Sequence, residues 1–151
     1  MALSQAAVAG SSTTGLLPVA GTQSWNEAAE LACQQLLAGA GSPVRVNSGS
    51  LDDQFAEDSY WAAALQQKAA QALGGIAGQP NGGASLIQAL GKAAALNQEM
   101  GSIYNTHPVF SQTLDRDKVA FSQNAQGASA LAGSLGTPTC ATVAGKTAGS
   151  G

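Results

Sequence analysis

The stretch from Ser50 to Asn105 constrains this chain more than any other, because it holds two long apolar periodicities separated by a run that no helix crosses. Leu51, Phe55, Ala62, Leu65, Ala69, Ala72 and Ile76 recur at spacings of three, four or seven, the repeat of a helix with one buried face. Ser50 offers an N-cap oxygen, and Asp52 and Asp53 stand where carboxylates meet the positive end of the helix dipole. The segment Gly74-Gly75-Ile76-Ala77-Gly78-Gln79-Pro80-Asn81-Gly82-Gly83 ends that helix. From Ser85 the period resumes in Leu86, Leu90, Ala93, Leu96 or Asn97, Met100 and Tyr104, until His107-Pro108 disfavours continuation. The expectation is an antiparallel αα-hairpin, with facing alanines and Gly91 allowing an approach toward the lower end of the usual 8 to 10 Å, roughly.

Two further helices flank this pair. Ser24-Trp25-Asn26-Glu27 matches a capping box, Trp25, Ala28 or Ala29, Ala32 and Leu36 supply an apolar face, and Gly39, Gly41 and Pro43 stop the helix. Cys33 lies inside it. Ser42 to Gly49 reads as a loop, with Val44-Arg45-Val46 too short for a strand. The last helix spans Thr113 to Leu135, with Leu114, Phe121, Ala125, Ala128, Ala132 and Leu135 inward. Asp115, Arg116, Asp117 and Lys118 form its solvated start, and Gly136-Thr137-Pro138 ends it. The fold class is therefore all-α: a four-helix bundle-like domain over residues 24–136 built on the central αα-hairpin. Residues 1–23 and 137–151, rich in Ala, Gly, Ser and Thr, are expected as irregular, low-complexity arms.

The surface chemistry points away from a free, solvated monomer. Charged residues make up 10% of the chain, against about 25% in ordinary domains, and Ala, Gly, Gln, Ser and Thr take the places that Lys and Glu normally hold. Such a surface suits contact with neighbours, although compositional drift would produce it too. Before Tyr60 there are six acids and one base, and after it three acids and five bases, for a net charge of −3. No basic stripe exists for a nucleic-acid backbone or an anionic membrane. No apolar run approaches the roughly 18 residues of a transmembrane segment. The first 44 residues hold no Lys or Arg, so no signal peptide is recognised. In that setting Cys33 and Cys140 read as reduced thiols, with one bridge between them as the alternative.

The catalytic inventory is thin. Gly91-Lys92 resembles the end of a phosphate loop, but Leu86 stands where the first glycine belongs and Ala93 where Ser or Thr must reach the metal. His107 is the one histidine and belongs to the turn before Pro108. Asp52, Asp53, Glu57 and Asp58 could meet a hard cation, yet carboxylates favour a helix N-terminus for its dipole alone. A nucleophile would need Cys33 or a serine activated by His107 and oriented by a carboxylate such as Asp115. Tyr60, Trp61, Trp25 and Tyr104 are the candidate interface residues, with Tyr60-Trp61 beside the buried seam rather than on it. These readings give no cofactor, no metal and no small-molecule substrate.

The function expected on these grounds is that of a non-enzymatic structural subunit. Its partners would be copies of itself and other subunits, with the arms ordered against neighbours. A virion component such as a phage head, tail or ejection-machine protein is the specific expectation, in a virion or an intracellular assembly; a pilus or secretion-apparatus subunit would read similarly. The alternative is an exported, extracytoplasmic helical binding module stapled by Cys33 and Cys140, with Tyr60-Trp61 on its ligand. An enzyme using Cys33 or the carboxylate cluster is the third reading.

Overall fold

A computed structural model describes residues 23–44 and 49–149, and every regular element in them is an α-helix. All but the last residue of the expected N-terminal arm, and most of Val44-Arg45-Val46, lie outside the described residues. The elements are α1 (Trp25–Ala40), α2 (Leu51–Gly74), α3 (Gly83–Asn105), α4 (Gln112–Leu135) and α5 (Pro138–Ala144).

Local chemistry sets their ends. At α1 the Glu27 amide donates to Ser24 Oγ at 3.2 Å and the Ser24 amide to Glu27 Oε1 at 3.2 Å, so two otherwise orphaned donors are satisfied. Ser50 caps α2 through the Asp53 amide at 3.0 Å, and Ser111 caps α4 through the Leu114 amide at 3.1 Å. Helix α3 begins at Gly83, two residues before the expected Ser85, because Gly82 takes a left-handed φ of 90° as its N-cap.

Helices α2 and α3 share the most extensive contact of the fold. Asp53 meets His107, Tyr60 meets Ser102 and Gln66 meets Asn97, so numbers rise along one helix as they fall along the other. Helix α4 lies against α3, and α1 lies against α2. At the end where α2 passes to α3, called upper here, Trp25, Leu65, Leu73, Leu86, Leu90 and Leu135 form the larger apolar cluster. At the lower end Ala56, Met100, Tyr104, Leu114 and Phe121 form a second.

Three expectations need correction. Of the stripe expected from Leu51 to Ile76, Leu51 is 61% exposed, the buried residues of α2 run from Ala56 to Leu73, and Ile76 lies beyond the helix, packed half-buried on the apolar cluster. Gly91 is exposed, and a β-carbon placed on it would meet nothing within 4 Å, so it does not mediate the close approach of α2 and α3. The third concerns the C-terminal arm, which is not irregular: Pro138–Ala144 forms α5, and Cys140, Val143 and Ala144 are fully buried.

Seven residues rich in Thr and Ala carry little intrinsic helicity, and the rest of the fold supplies what α5 lacks. Glu30 of α1 accepts from the Thr139 amide at 2.9 Å and from the Thr139 hydroxyl, placing a carboxylate at the helix start. At the other end the Gln66 side-chain amide donates to the carbonyls of Val143, Ala144 and Lys146 at 3.1, 3.3 and 2.8 Å. Asn97 donates to the Lys146 carbonyl at 2.9 Å and to Gln66 Oε1 at 2.8 Å, while Thr147 Oγ1 donates to Asn97 Oδ1 at 2.7 Å. Between these clamps Cys140 is joined to Cys33 by a disulfide, in place of the reduced thiols expected. Packing α5 against α1 brings the two α-carbons to 5.2 Å, within bridging range.

Candidate functional site

The four candidate interface residues separate on folding. Trp25 is 4% exposed and Tyr104 is 6% exposed, so both are core residues rather than contact residues. Trp25 packs beside Gly83 in the upper cluster, and Tyr104 stacks obliquely on Phe55 with ring centroids 5.2 Å apart. Trp61 is half-buried, and its indole Nε1 donates to the Ala40 carbonyl at 3.3 Å, tying the end of α1 to α2. Tyr60 alone is exposed. Its ring lies across Gly101, and its hydroxyl lies 3.2 Å from Ser102 Oγ and accepts from Asn105 at 3.4 Å.

The exposed apolar side chains concentrate elsewhere. Val109 is fully exposed and Phe110 is 77% exposed, in the turn between α3 and α4, and Leu51 and Val119 also face outward. His107 holds this turn with a φ of 52°, in the left-handed region where a β-carbon is uncomfortable. Its Nε2 lies 2.8 Å from Asp53 Oδ1, so the C-terminal end of α3 is tied to the first turn of α2. The bond from His107, followed by that from Ser50, holds the Asp53 carboxyl below its ordinary value, with some opposition from burial. The apolar pair Val109-Phe110 escapes sequence reading because it belongs to no periodic stripe. Its one signal is an aromatic residue between Pro108 and Ser111, where turns normally carry polar groups.

From Val119 onward the outer surface of α4 is neutral. No charged residue occurs from Val119 to Gly145, and Gln126, Gly127, Ser129, Ala130, Gly133 and Ser134 all face outward. Near the start of the same helix Asp117 departs from expectation. Expected in the solvated first turns of the helix, it is instead 8% exposed and lies on the inward face with Leu114 and Phe121. Burial first, then a hydrogen bond to Glu99 and the charge of Glu99, push the Asp117 carboxyl up to about 6, with Arg116 opposing.

The proposed chemical constellations are not assembled. The bridged Cys33 is buried and presents no thiolate, and His107 is engaged with Asp53 at the lower end. The acidic set is dispersed: Asp53 faces His107, whereas Asp58 turns inward and accepts weakly from the Gly149 amide at 3.5 Å. Among the described residues no three His, Cys, Asp or Glu side chains are placed to hold a metal ion. No helix there is long and apolar enough to cross a membrane. No protein-family model, curated protein or solved structure matches the chain.

Proposed function

We propose that this protein is a non-enzymatic structural subunit of a large assembly, a virion component such as a phage head, tail or ejection-machine protein being the specific reading. The observation that carries it is the neutral outer surface. Beyond Lys118, helix α4 exposes Gln, Ser, Ala and Gly where a solvated helix normally exposes Lys and Glu, and Val109 and Phe110 are exposed at the lower end. Such surfaces desolvate cheaply, since no charge has to be stripped of water when a neighbour covers them. In this reading α2 and α3 form an antiparallel hairpin at the heart of a bundle-like body, and the neighbours are copies of the chain and other subunits. Light scattering across a concentration series tests it. A mass that grows with concentration, and that Phe110→Ser reduces, is the expected result, and a concentration-independent mass near 14.9 kDa counts against self-assembly.

One observation favours a second reading, an exported helical binding module. A bridge between Cys33 and Cys140 belongs in an oxidising compartment. Alkylation of the denatured native protein without reductant separates the two: blocked thiols support export, and two free thiols support an intracellular assembly.

A further inference from the structure

Helix α5 is joined to α4 by two residues, Gly136 and Thr137, and is held by contacts that do not depend on that joint. Four helices build its seat. At one end Glu30 of α1 accepts from the Thr139 amide and hydroxyl. At the other, the fully buried Gln66 of α2 and Asn97 of α3 donate to the carbonyls of Val143, Ala144 and Lys146. The seat therefore reads the segment largely through backbone groups, and Cys33 meets Cys140 between these contacts. Glu30, Gln66, Asn97 and Cys33 would find the same partners in the α5 segment of any copy of the chain.

The joint is less well satisfied than the seat. Thr137 is fully buried, and its Oγ1 has no hydrogen-bond partner. It stands at the N-cap of α5 without making the side-chain bond that a threonine there usually makes. A buried, unpaired hydroxyl is a cost that the closed chain bears and an opened joint does not, because water then reaches it. Opening alone is no remedy, since an empty seat leaves the amides of Gln66 and Asn97 without their carbonyls. Exchange avoids both losses: two copies open their joints, each seats the α5 of the other, and every contact of the seat is remade. Gly136, with a φ of 71°, has no β-carbon to hinder the straightening of the joint. No charge opposes the approach, because no Asp, Glu, Lys or Arg occurs from Val119 to Gly145.

We propose that α5 is exchanged between copies of this chain, so that the seat of each accepts the α5 of a second copy and Cys33 of one becomes bridged to Cys140 of the other. The inference rests on the reading of the chain as a subunit among its own copies. It places that contact at the upper end, where α4 ends and Asn26 of α1 donates to the Leu135 carbonyl, away from Val109 and Phe110. The bridge needs an oxidant: the two thiols give up two protons and two electrons, which oxidised glutathione takes to become two reduced molecules.

The test mixes heavy-nitrogen-labelled and unlabelled wild-type chains, reduces and unfolds them together, refolds them across a concentration series, and then adds oxidised glutathione. After digestion, a Cys33–Cys140 peptide pair with one heavy and one light half can come only from two chains. The expected result is such mixed pairs, approaching half of all Cys33–Cys140 bridges where exchange is complete, in a species of twice the chain mass. Thr137→Val keeps the shape of the side chain and removes the unpaired hydroxyl, so it should lower the mixed fraction roughly fivefold or more. Phe110→Ser, at the opposite end, should leave that fraction unchanged. Exchange is refuted if mixed pairs are absent, if Cys33–Cys33 and Cys140–Cys140 pairs are as abundant, as random collision gives, or if Thr137→Val leaves the mixed fraction undiminished. A mass that grows with concentration while mixed pairs stay absent overturns exchange alone and leaves the subunit reading standing.

Discussion

At Gly101 a methyl group would stand 2.9 Å from Cε1 of Tyr60, closer than carbon atoms approach without displacement. The glycine in α3 is thus the seat of an aromatic ring on α2. Gly101→Ala should cost about 1–3 kcal/mol, read as a lower urea midpoint, because the ring must swing outward and release Ser102 and Asn105. In a Tyr60→Ala background the same change should turn neutral or stabilising by up to about 1 kcal/mol, since alanine is the better helix former. A single sequence shows two glycines in the interior of this helix, Gly91 and Gly101, and does not say which faces a ring. Polar residues in the seam are hidden for a related reason. Gln66 and Asn97 sit on the buried faces of their helices, fully enclosed, and a pattern built on apolar period passes over Gln66 as solvent-facing. Only their partners, carbonyls some 50 to 80 residues away, explain the burial. Asp117 escaped for the same reason.

Among the elements, α1 to α4 were legible because each carries a period and a stop, and all but α3 a side-chain cap. Ser24, Ser50 and Ser111 cap their helices, and Gly41 and Gly136 end two of them with φ of 63° and 71°. Helix α5 was not. With seven residues it offers too few turns to display a period, and its helicity is imposed by Glu30, Gln66 and Asn97 from three other helices. Its covalent tie should matter correspondingly. Replacing both Cys33 and Cys140 by Ala is expected to lower unfolding free energy by about 2–5 kcal/mol, because the bridge closes a loop spanning 107 residues. Urea titration of the double variant against the oxidised wild type measures it, and a loss below about 1 kcal/mol would mean that the polar clamps alone seat α5.

For the molecule as a whole, α5 covers apolar surface contributed by α1, α2, α3 and α4. A chain ended after Gly136 should keep most of its helicity but lose the fixed environments of Trp25 and Trp61. The expected signature is near-native far-ultraviolet circular dichroism with weakened near-ultraviolet bands and binding of a hydrophobic dye. The order of the elements along the chain also sets a schedule for synthesis. Thr139 lies 109 residues beyond Glu30, its capping partner. At a ribosomal pace of about 5–20 residues per second, Glu30 waits on the order of 5–20 s before the residue it must hold has been made. Leu65, Leu73, Leu86 and Leu90, made within that interval, belong to the cluster that Cys140, Val143 and Ala144 complete only at its end. The nascent chain is therefore a natural client for a chaperone that shields apolar surface, until the last helix arrives to take its place.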